Sequence, residues 1–328
     1  KNIKYVNKVV TQNQLDQTEN LIKYKPDYVV HGDDWKRGIL KKTRNKVIKT
    51  LKKWNGKLIE PKYTKNISSE FIKKKIIEIG ITPDVRREKL KRLLGAKKII
   101  RIIEAHNPLT GLVVENTKYV NGENYYEFDG MWSSSLTDSS IRGRPDNQAV
   151  DYSTRIDALN EILDVTTKPI IFDADNGGRI EHLPYLIKKL ERTGVSAVVF
   201  EDKIGLKKNS LFKNQKDAKQ DSIKEFCKKI KKAQNSKISD DLFIVARIES
   251  FILGKGLNDA LKRAEEYSKA GADAILIHSK EKNAKQIFSF SEIFNKSKYA
   301  KPLIAVPSTY SKTYEKELVK NGFKIVIY

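Results

Sequence analysis

From residue 98 onward the chain repeats one pattern. A short apolar run ends in a polar cluster, and an amphipathic stretch of about 10–15 residues follows with apolar positions at helical spacing. The apolar runs fall at 99–105, 127–131, 169–172, 197–200, 242–246, 274–277, 303–306 and 324–328. Helical patterns between them include 157–163, 182–193, 222–233 and 256–270. Eight such units match the count of a (β/α)8 barrel, in which chemistry sits at the C-terminal strand ends.

Residues 1–83 read differently. A turn at Lys25-Pro26-Asp27 precedes a short strand, Tyr28-Val29-Val30, which runs into His31-Gly32-Asp33-Asp34-Trp35. A helix through Thr43 to Leu51 ends at Gly56, a strand follows over 57–60, and Ser68-Ser69 opens another helix over 70–79. Strand, helix, strand, helix predicts a Rossmann-like α/β layer with a parallel sheet. Pro83 breaks the last helix, and a basic amphipathic segment, 86–94, leads into the barrel expected over 86–328.

The strand ends carry the chemistry. They read Glu104-Ala105-His106-Asn107, Trp132-Ser133-Ser134-Ser135, Asp173-Ala174-Asp175, Glu201-Asp202-Lys203, Arg247-Ile248-Glu249, His278-Ser279-Lys280 and Pro307-Ser308. Asp173 and Asp175 on one strand end, with Glu201 from the next, make an oxygen-rich site of the kind Mg²⁺ prefers, unless they are simple turn formers. Zn²⁺ is disfavoured because no Cys/His spacing supports it. The planar fork of Arg247 suits phosphate or carboxylate, or else an ion pair with Glu249 inside the barrel. His278 stands beside them, either touching a ligand or supporting a residue that does. The polar stretch from Glu201 to Ser210, after the apolar Val195 to Phe200, suits a loop that holds a cation and an anionic substrate together.

Composition narrows the partners. The 328 residues carry a net charge of +23, and residues 1–100 hold 27 Lys/Arg against 10 Asp/Glu. The lysines are scattered along helices without an aromatic-basic recognition motif, which favours attraction of phosphorylated metabolites over nucleic acid. No apolar run approaches a membrane span, and the single cysteine, Cys227, fits a reducing cytoplasm. The chain lacks an initiator Met and stops at the end of an apolar run, so it reads as a fragment whose barrel lacks its closing helix.

Two resemblances follow from these motifs. Val30-His31-Gly32-Asp33-Asp34 and the segment Tyr63 to Ser69 resemble the C-terminal half of a cytidylyltransferase-type nucleotidyltransferase. The family's Arg is replaced by Tyr63, and none of His31, His106, His182 and His278 lies in its catalytic His-x-Gly-His spacing. Residues 1–83 therefore read as a partial nucleotidyltransferase domain, with CTP a partner only if the missing half is present. Trp132 to Asn147, Asp173-Ala174-Asp175, Glu201 to Leu211 and Val245 to Glu249 closely resemble the phosphoenolpyruvate mutase family, within the isocitrate lyase/phosphoenolpyruvate mutase superfamily.

That second resemblance implies interconversion of phosphoenolpyruvate and phosphonopyruvate, the first step of phosphonate biosynthesis. It implies Mg²⁺ held by Asp173, Asp175 and Glu201, largely through water. Ser134, Ser135 and Leu136 would hold the substrate with Trp132 against it, Ser135 departing from the Gly of some members. Asp146 would lie against the transferring phosphoryl group. Lys207, Asn209, Ser210 and Leu211 match a gating loop, Asn209 and Arg247 being phosphoryl binders, and His278 lies near the bound anion. A homo-oligomer is expected of the full-length protein. Carbon–carbon lyases of the superfamily use a cysteine in the loop after the fourth strand, where Lys203 to Ser210 has none. Phosphonopyruvate hydrolase, and a non-catalytic binding protein with a vestigial barrel, are the competing readings.

Overall fold

The computed structural model describes residues 6–12, 16–36, 38, 40–62, 81–122, 124–205, 207 and 219–328. The motif expected at 63–69, the helix at 70–79, and Asn209, Ser210 and Leu211 lie outside them. The chain divides into two compact units, 1–74 and 75–328.

In the first unit α1 (Thr18–Tyr24), β1 (Tyr28–Val30), α2 (Leu40–Leu51) and β2 (Lys57–Ile59) surround a small core of Leu21, Trp35, Val47 and Leu51. The two strands are parallel, with Val29 opposite Leu58, as the strand–helix–strand order predicts. Trp35 is 1% exposed, and its indole N–H donates to Glu60 Oε1 at 2.8 Å. Arg44 grips the same carboxylate with two hydrogen bonds of 2.7 and 2.8 Å. A two-stranded parallel layer is common to many α/β folds and identifies no family by itself.

The second unit opens with α3 (Pro83–Ala96), where Pro83 sits in the first turn. Proline suits that position because the N–H it lacks would be unsatisfied there anyway. Eight parallel strands then close into a barrel: β3 (Ile100–Glu104), β6 (Gly130–Ser133), β7 (Ile170–Asp173), β8 (Ala197–Glu201), β11 (Phe243–Ile248), β12 (Ala274–Ile277), β13 (Leu303–Ala305) and β14 (Phe323–Ile327). Closure is made by β14 against β3, with Ile325 opposite Ile100. Helices cross between successive strands: α4 (Pro108–Asn116), α5 (Ser135–Ser140), α6 (Tyr152–Val165), α7 (Leu183–Thr193), α8 (Ile223–Gln234), α9 (Gly256–Lys269), α10 (Lys285–Phe294) and α11 (Glu315–Lys320).

Two strands differ from expectation. The second barrel strand begins at Gly130, not at 127, because Asn124–Glu127 (β5) pairs instead with Lys118–Asn121 (β4) in a hairpin turned at Gly122. The Asn121-Gly122 pair is a hairpin signal that the apolar runs overshadowed. Gly130 is required where it stands, since a Cβ there would meet Ile102 Cδ1 and the Pro169 carbonyl at 2.7 Å. The fifth strand ends two residues later than expected, at Ile248, and so includes Arg247. A pair of two-residue strands, β9 (Lys203–Ile204) and β10 (Lys219–Gln220), stands outside the barrel.

Side chains alternate along each strand, so the barrel has two cores. Outward residues such as Phe172, Phe200 and Ile244 meet the helices, while inward ones such as Ile102, Ile171, Val199, Val245 and Ile304 fill the interior. Leu90 of α3 joins that interior cluster. Arg86 anchors the same helix: its guanidinium donates to the carbonyls of Leu163 (2.8 Å) in the last turn of α6 and of Thr166 and Lys168 (3.0 Å) just after it. Among the described residues no helix is long and apolar enough to cross a membrane.

Leu90 is 1% exposed. Its replacement by Ala should lower stability by about 2–5 kcal/mol through the cavity left at the base of the barrel. Denaturant unfolding of Leu90→Ala against the parent measures this, and an unchanged midpoint would place Leu90 outside the core.

Candidate active site

The two-residue period that fills the interior also decides which strand-end residues meet. Inward positions carry Glu104 on β3, Trp132 on β6, Asp173 on β7, Glu201 on β8 and Arg247 on β11, with His278 one residue past β12. Trp132, Ser134, Leu136, Asp146, Asp173, Lys207, Arg247 and His278 line one cavity of about 190 Å³ at this mouth. Glu104, Leu276, Val306, Ser308, Ile327 and Tyr328 complete its wall.

One side of the mouth is a charge cluster around Lys207. Its Nζ lies 2.5 Å from Asp175 Oδ1, 3.3 Å from Asp173 Oδ2 and 3.4 Å from Asp146 Oδ1, and it donates to Ser135 Oγ. Ser135 Oγ is also 2.9 Å from Asp173 Oδ2. Asp175 takes a left-handed backbone (φ 51°), which Asp tolerates better than most residues, and its N–H donates to Asp173 Oδ1 at 3.0 Å. Burial alone would raise the Asp173 carboxyl, but Lys207, Arg155 and Arg247 outweigh it and hold that carboxyl well below the usual range. Asp175 goes the other way, pushed up by burial with the Asp173 charge adding. Burial opposes the Lys207 charge, yet the surrounding carboxylates raise its pKa and keep it an ammonium.

Arg155 supports this side from beneath. It is 1% exposed and donates to the Asp173 carbonyl at 2.5 Å, to Ser133 O at 3.3 Å and to Asp138 Oδ2 at 2.8 Å. One guanidinium thus ties the ends of β6 and β7 to the start of α5. The sequence reading missed it. The available signal was an arginine on the buried stripe of α6, in step with Leu159 and Ile162.

The other side is built on Arg247 and Glu201, directly opposite one another on neighbouring strands. Arg247 Nε donates to Glu249 Oε1 at 2.6 Å, and its Nη2 is 3.7 Å from Glu201 Oε2. The Lys203 ammonium stands 3.6 Å from Glu201 and 3.4 Å from Glu249. Arg247 therefore pairs with Glu249 while also lining the cavity. Burial pushes Glu201 up to about 7, with the Glu249 charge adding and the Arg247 charge opposing. Burial, then Arg247, pushes His278 down to about 4, so its ring is neutral near pH 7. Among the described residues His278 Nδ1 has no hydrogen-bond partner.

Asp202 does not join the site, although it follows Glu201 and reads with it as a pair. Alternation turns it to the helix layer, where Oδ1 accepts from Glu249 N at 2.9 Å. Its Oδ2 accepts from Tyr267 (2.8 Å), Gln220 (2.8 Å) and Arg263 (3.2 Å). Burial raises its pKa to about 6. Among the described residues no three His, Cys, Asp or Glu side chains converge tightly enough to hold a metal directly. The residues around Lys207 nevertheless suit a cation, because three carboxylates already surround one positive charge. Glu201 is apart from them, engaged by Arg247 and Lys203.

The family model described as phosphoenolpyruvate phosphomutase matches residues 90–328. A phosphoenolpyruvate phosphomutase of Tetrahymena pyriformis is 38% identical over 242 residues, 73% of this chain and 76% of that protein. The crystal structure of phosphoenolpyruvate phosphomutase from Streptomyces platensis subsp. rosaceus superposes with a TM-score of 0.67 at 31% identity, covering 76% of this chain and 80% of that one. A phosphonopyruvate hydrolase solved with oxalate and Mg²⁺ follows at 0.65 and 30%, with the same coverage. The barrel, the polar mouth and these matches agree, and the chain belongs to the phosphoenolpyruvate phosphomutase family.

Proposed function

We propose that the barrel interconverts phosphoenolpyruvate and phosphonopyruvate, an isomerisation that moves a phosphoryl group from oxygen to carbon. One observation carries this reading: a small cavity has a carboxylate–lysine cluster on one side, with Arg247 and neutral His278 on the other, and no cysteine in its wall. The sole cysteine, Cys227, lies on α8, where its thiol faces the Glu266 carbonyl at 3.5 Å. The carbon–carbon lyase chemistry of the superfamily therefore lacks its catalytic cysteine.

In the forward direction the P–O bond breaks and a C–P bond forms at the methylene carbon. The electron pair left on oxygen becomes part of the new ketone as the double bond supplies the pair to phosphorus. No proton enters or leaves, so the site needs positioning and charge balance and no strong general base. Arg247 offers its fork to the migrating group, and Asp146 limits where that group can go. Ser134, Ser135 and Leu136 at the start of α5 hold the carboxylate end, with the Trp132 ring against it. Asp173, Asp175 and Glu201 would hold Mg²⁺, largely through water given their spread. Bound there, Mg²⁺ supplies charge neutralisation at the enolate oxygen. Asn209, Ser210 and Leu211 keep the loop roles that the family resemblance gives them, with Lys207 at their head. Exclusion of water by that loop would separate mutase from hydrolase.

Phosphonate biosynthesis, a cytoplasmic setting and a homo-oligomer are proposed on the same resemblance. The nucleotidyltransferase-like reading of the first unit, with CTP as its ligand, rests on residues 30–34 and 63–69. Hydrolysis of phosphonopyruvate is the second reading, since the hydrolase structure fits nearly as well as the mutase structure.

Phosphorus NMR on phosphonopyruvate with Mg²⁺ separates them: phosphoenolpyruvate should appear, whereas inorganic phosphate would mark a hydrolase and no change a binding protein. Asp173→Ala should cut turnover by orders of magnitude with the circular dichroism spectrum unchanged, and full activity would remove Asp173 from the site. Asn209→Ala should lower kcat by about 10²-fold or more, the scale for losing one preorganised donor, with a smaller change in KM. Normal turnover in that variant would overturn the loop assignment.

A further inference from the structure

The metal reading above gives Asp173 and Asp175 to a divalent ion, yet in this structure they already hold a cation. Lys207 Nζ faces Asp175 Oδ1 at 2.5 Å, Asp173 Oδ2 at 3.3 Å, Asp146 Oδ1 at 3.4 Å and Ser135 Oγ. These oxygens come from the end of β7 with the turn after it, the segment before α6 and the start of α5. They converge on one charge that is almost out of water, Lys207 being 8% exposed. Without Lys207 these three carboxylates would keep only Arg155, 3.8 Å from Asp175, as a close counter-charge, and would repel one another with much of their hydration lost.

We propose that Lys207 is a tethered counter-cation that occupies the metal seat, so that a divalent ion binds only by displacing it. The inference rests on the metal reading of the previous subsection and adds a competitor to it. An ammonium and a divalent cation cannot share oxygens at these distances, since two positive charges would sit side by side where little water screens them. The apparent metal affinity is then the intrinsic affinity reduced by the fraction of molecules in which Lys207 has left. Ser135 strengthens the lysine's hold, because its hydroxyl accepts from Lys207 while lying within hydrogen-bond distance of Asp173. The glycine found at this position in some members would lack that hydroxyl.

The test measures binding of Mn²⁺ alone, without substrate, by loss of its free electron paramagnetic resonance signal. Lys207→Met removes the charge and keeps an unbranched stem. It should bind Mn²⁺ about 10-fold tighter than the parent, or more, because the competing state is gone. Lys207→Gln, which can still hydrogen-bond to the aspartates, should also bind tighter and carries the test if the Met variant does not fold. Lys207→Arg retains the charge and should bind as the parent does. If the parent binds Mn²⁺ and neither neutral variant binds it tighter, the competitor is disproved while the metal site stands. If Lys207→Arg gains as much affinity as Lys207→Met, charge is not the cause and the proposal also fails. If no version binds Mn²⁺, the metal reading itself falls and takes this inference with it.

Discussion

A closed barrel of parallel strands admits a side chain to its interior only at every second position, and the rest of this molecule follows from that restriction. Below the mouth the inward positions are Ile, Val, Leu and Ala, which pack without polar atoms. At the mouth the same register delivers Asp173, Glu201 and Arg247 on three adjacent strands. Charges are thus lifted out of solvent by the geometry that builds the core, and each must find a partner nearby. Lys207, Arg155, Lys203 and Glu249 are those partners.

The two halves of the mouth solve this problem differently. Around Lys207, three aspartates converge on one ammonium, with the Arg155 guanidinium 3.8 Å from Asp175 as a second cation. Around Arg247, two cations and two carboxylates alternate, which leaves that side nearly balanced but polar. Neutral His278 lies in the same wall. An anionic substrate with a divalent ion would find complementary surfaces on opposite walls of one small space.

Much of this was legible in the sequence. Eight apolar runs with polar ends foretold the barrel, because a buried parallel strand must be apolar throughout while its end may carry chemistry. What escaped was whatever depended on side-chain direction or distant pairing. The turn at Gly122 diverted Tyr125 and Tyr126 into a hairpin that looked like the approach to a barrel strand. Arg155 is far from Asp173 in the chain, and only the packing of α6 under β7 makes it part of the site. Lys207 was legible as a loop residue, but its seat among three aspartates was not, since that needs four segments in place at once.

The dipeptide Glu201-Asp202 shows how finely this geometry divides labour. The first faces the barrel interior beside Arg247 and Lys203, and the second is sunk in a network with Arg263, Tyr267, Gln220 and the Glu249 amide. Two adjacent acidic codons therefore answer to different demands. On the metal role proposed for Glu201, a variant that spoils Asp202 would diminish how much folded protein a cell accumulates, whereas one that spoils Glu201 would diminish what each folded molecule accomplishes. An assay of expression level and an assay of product formation would rank the same two neighbours in opposite order.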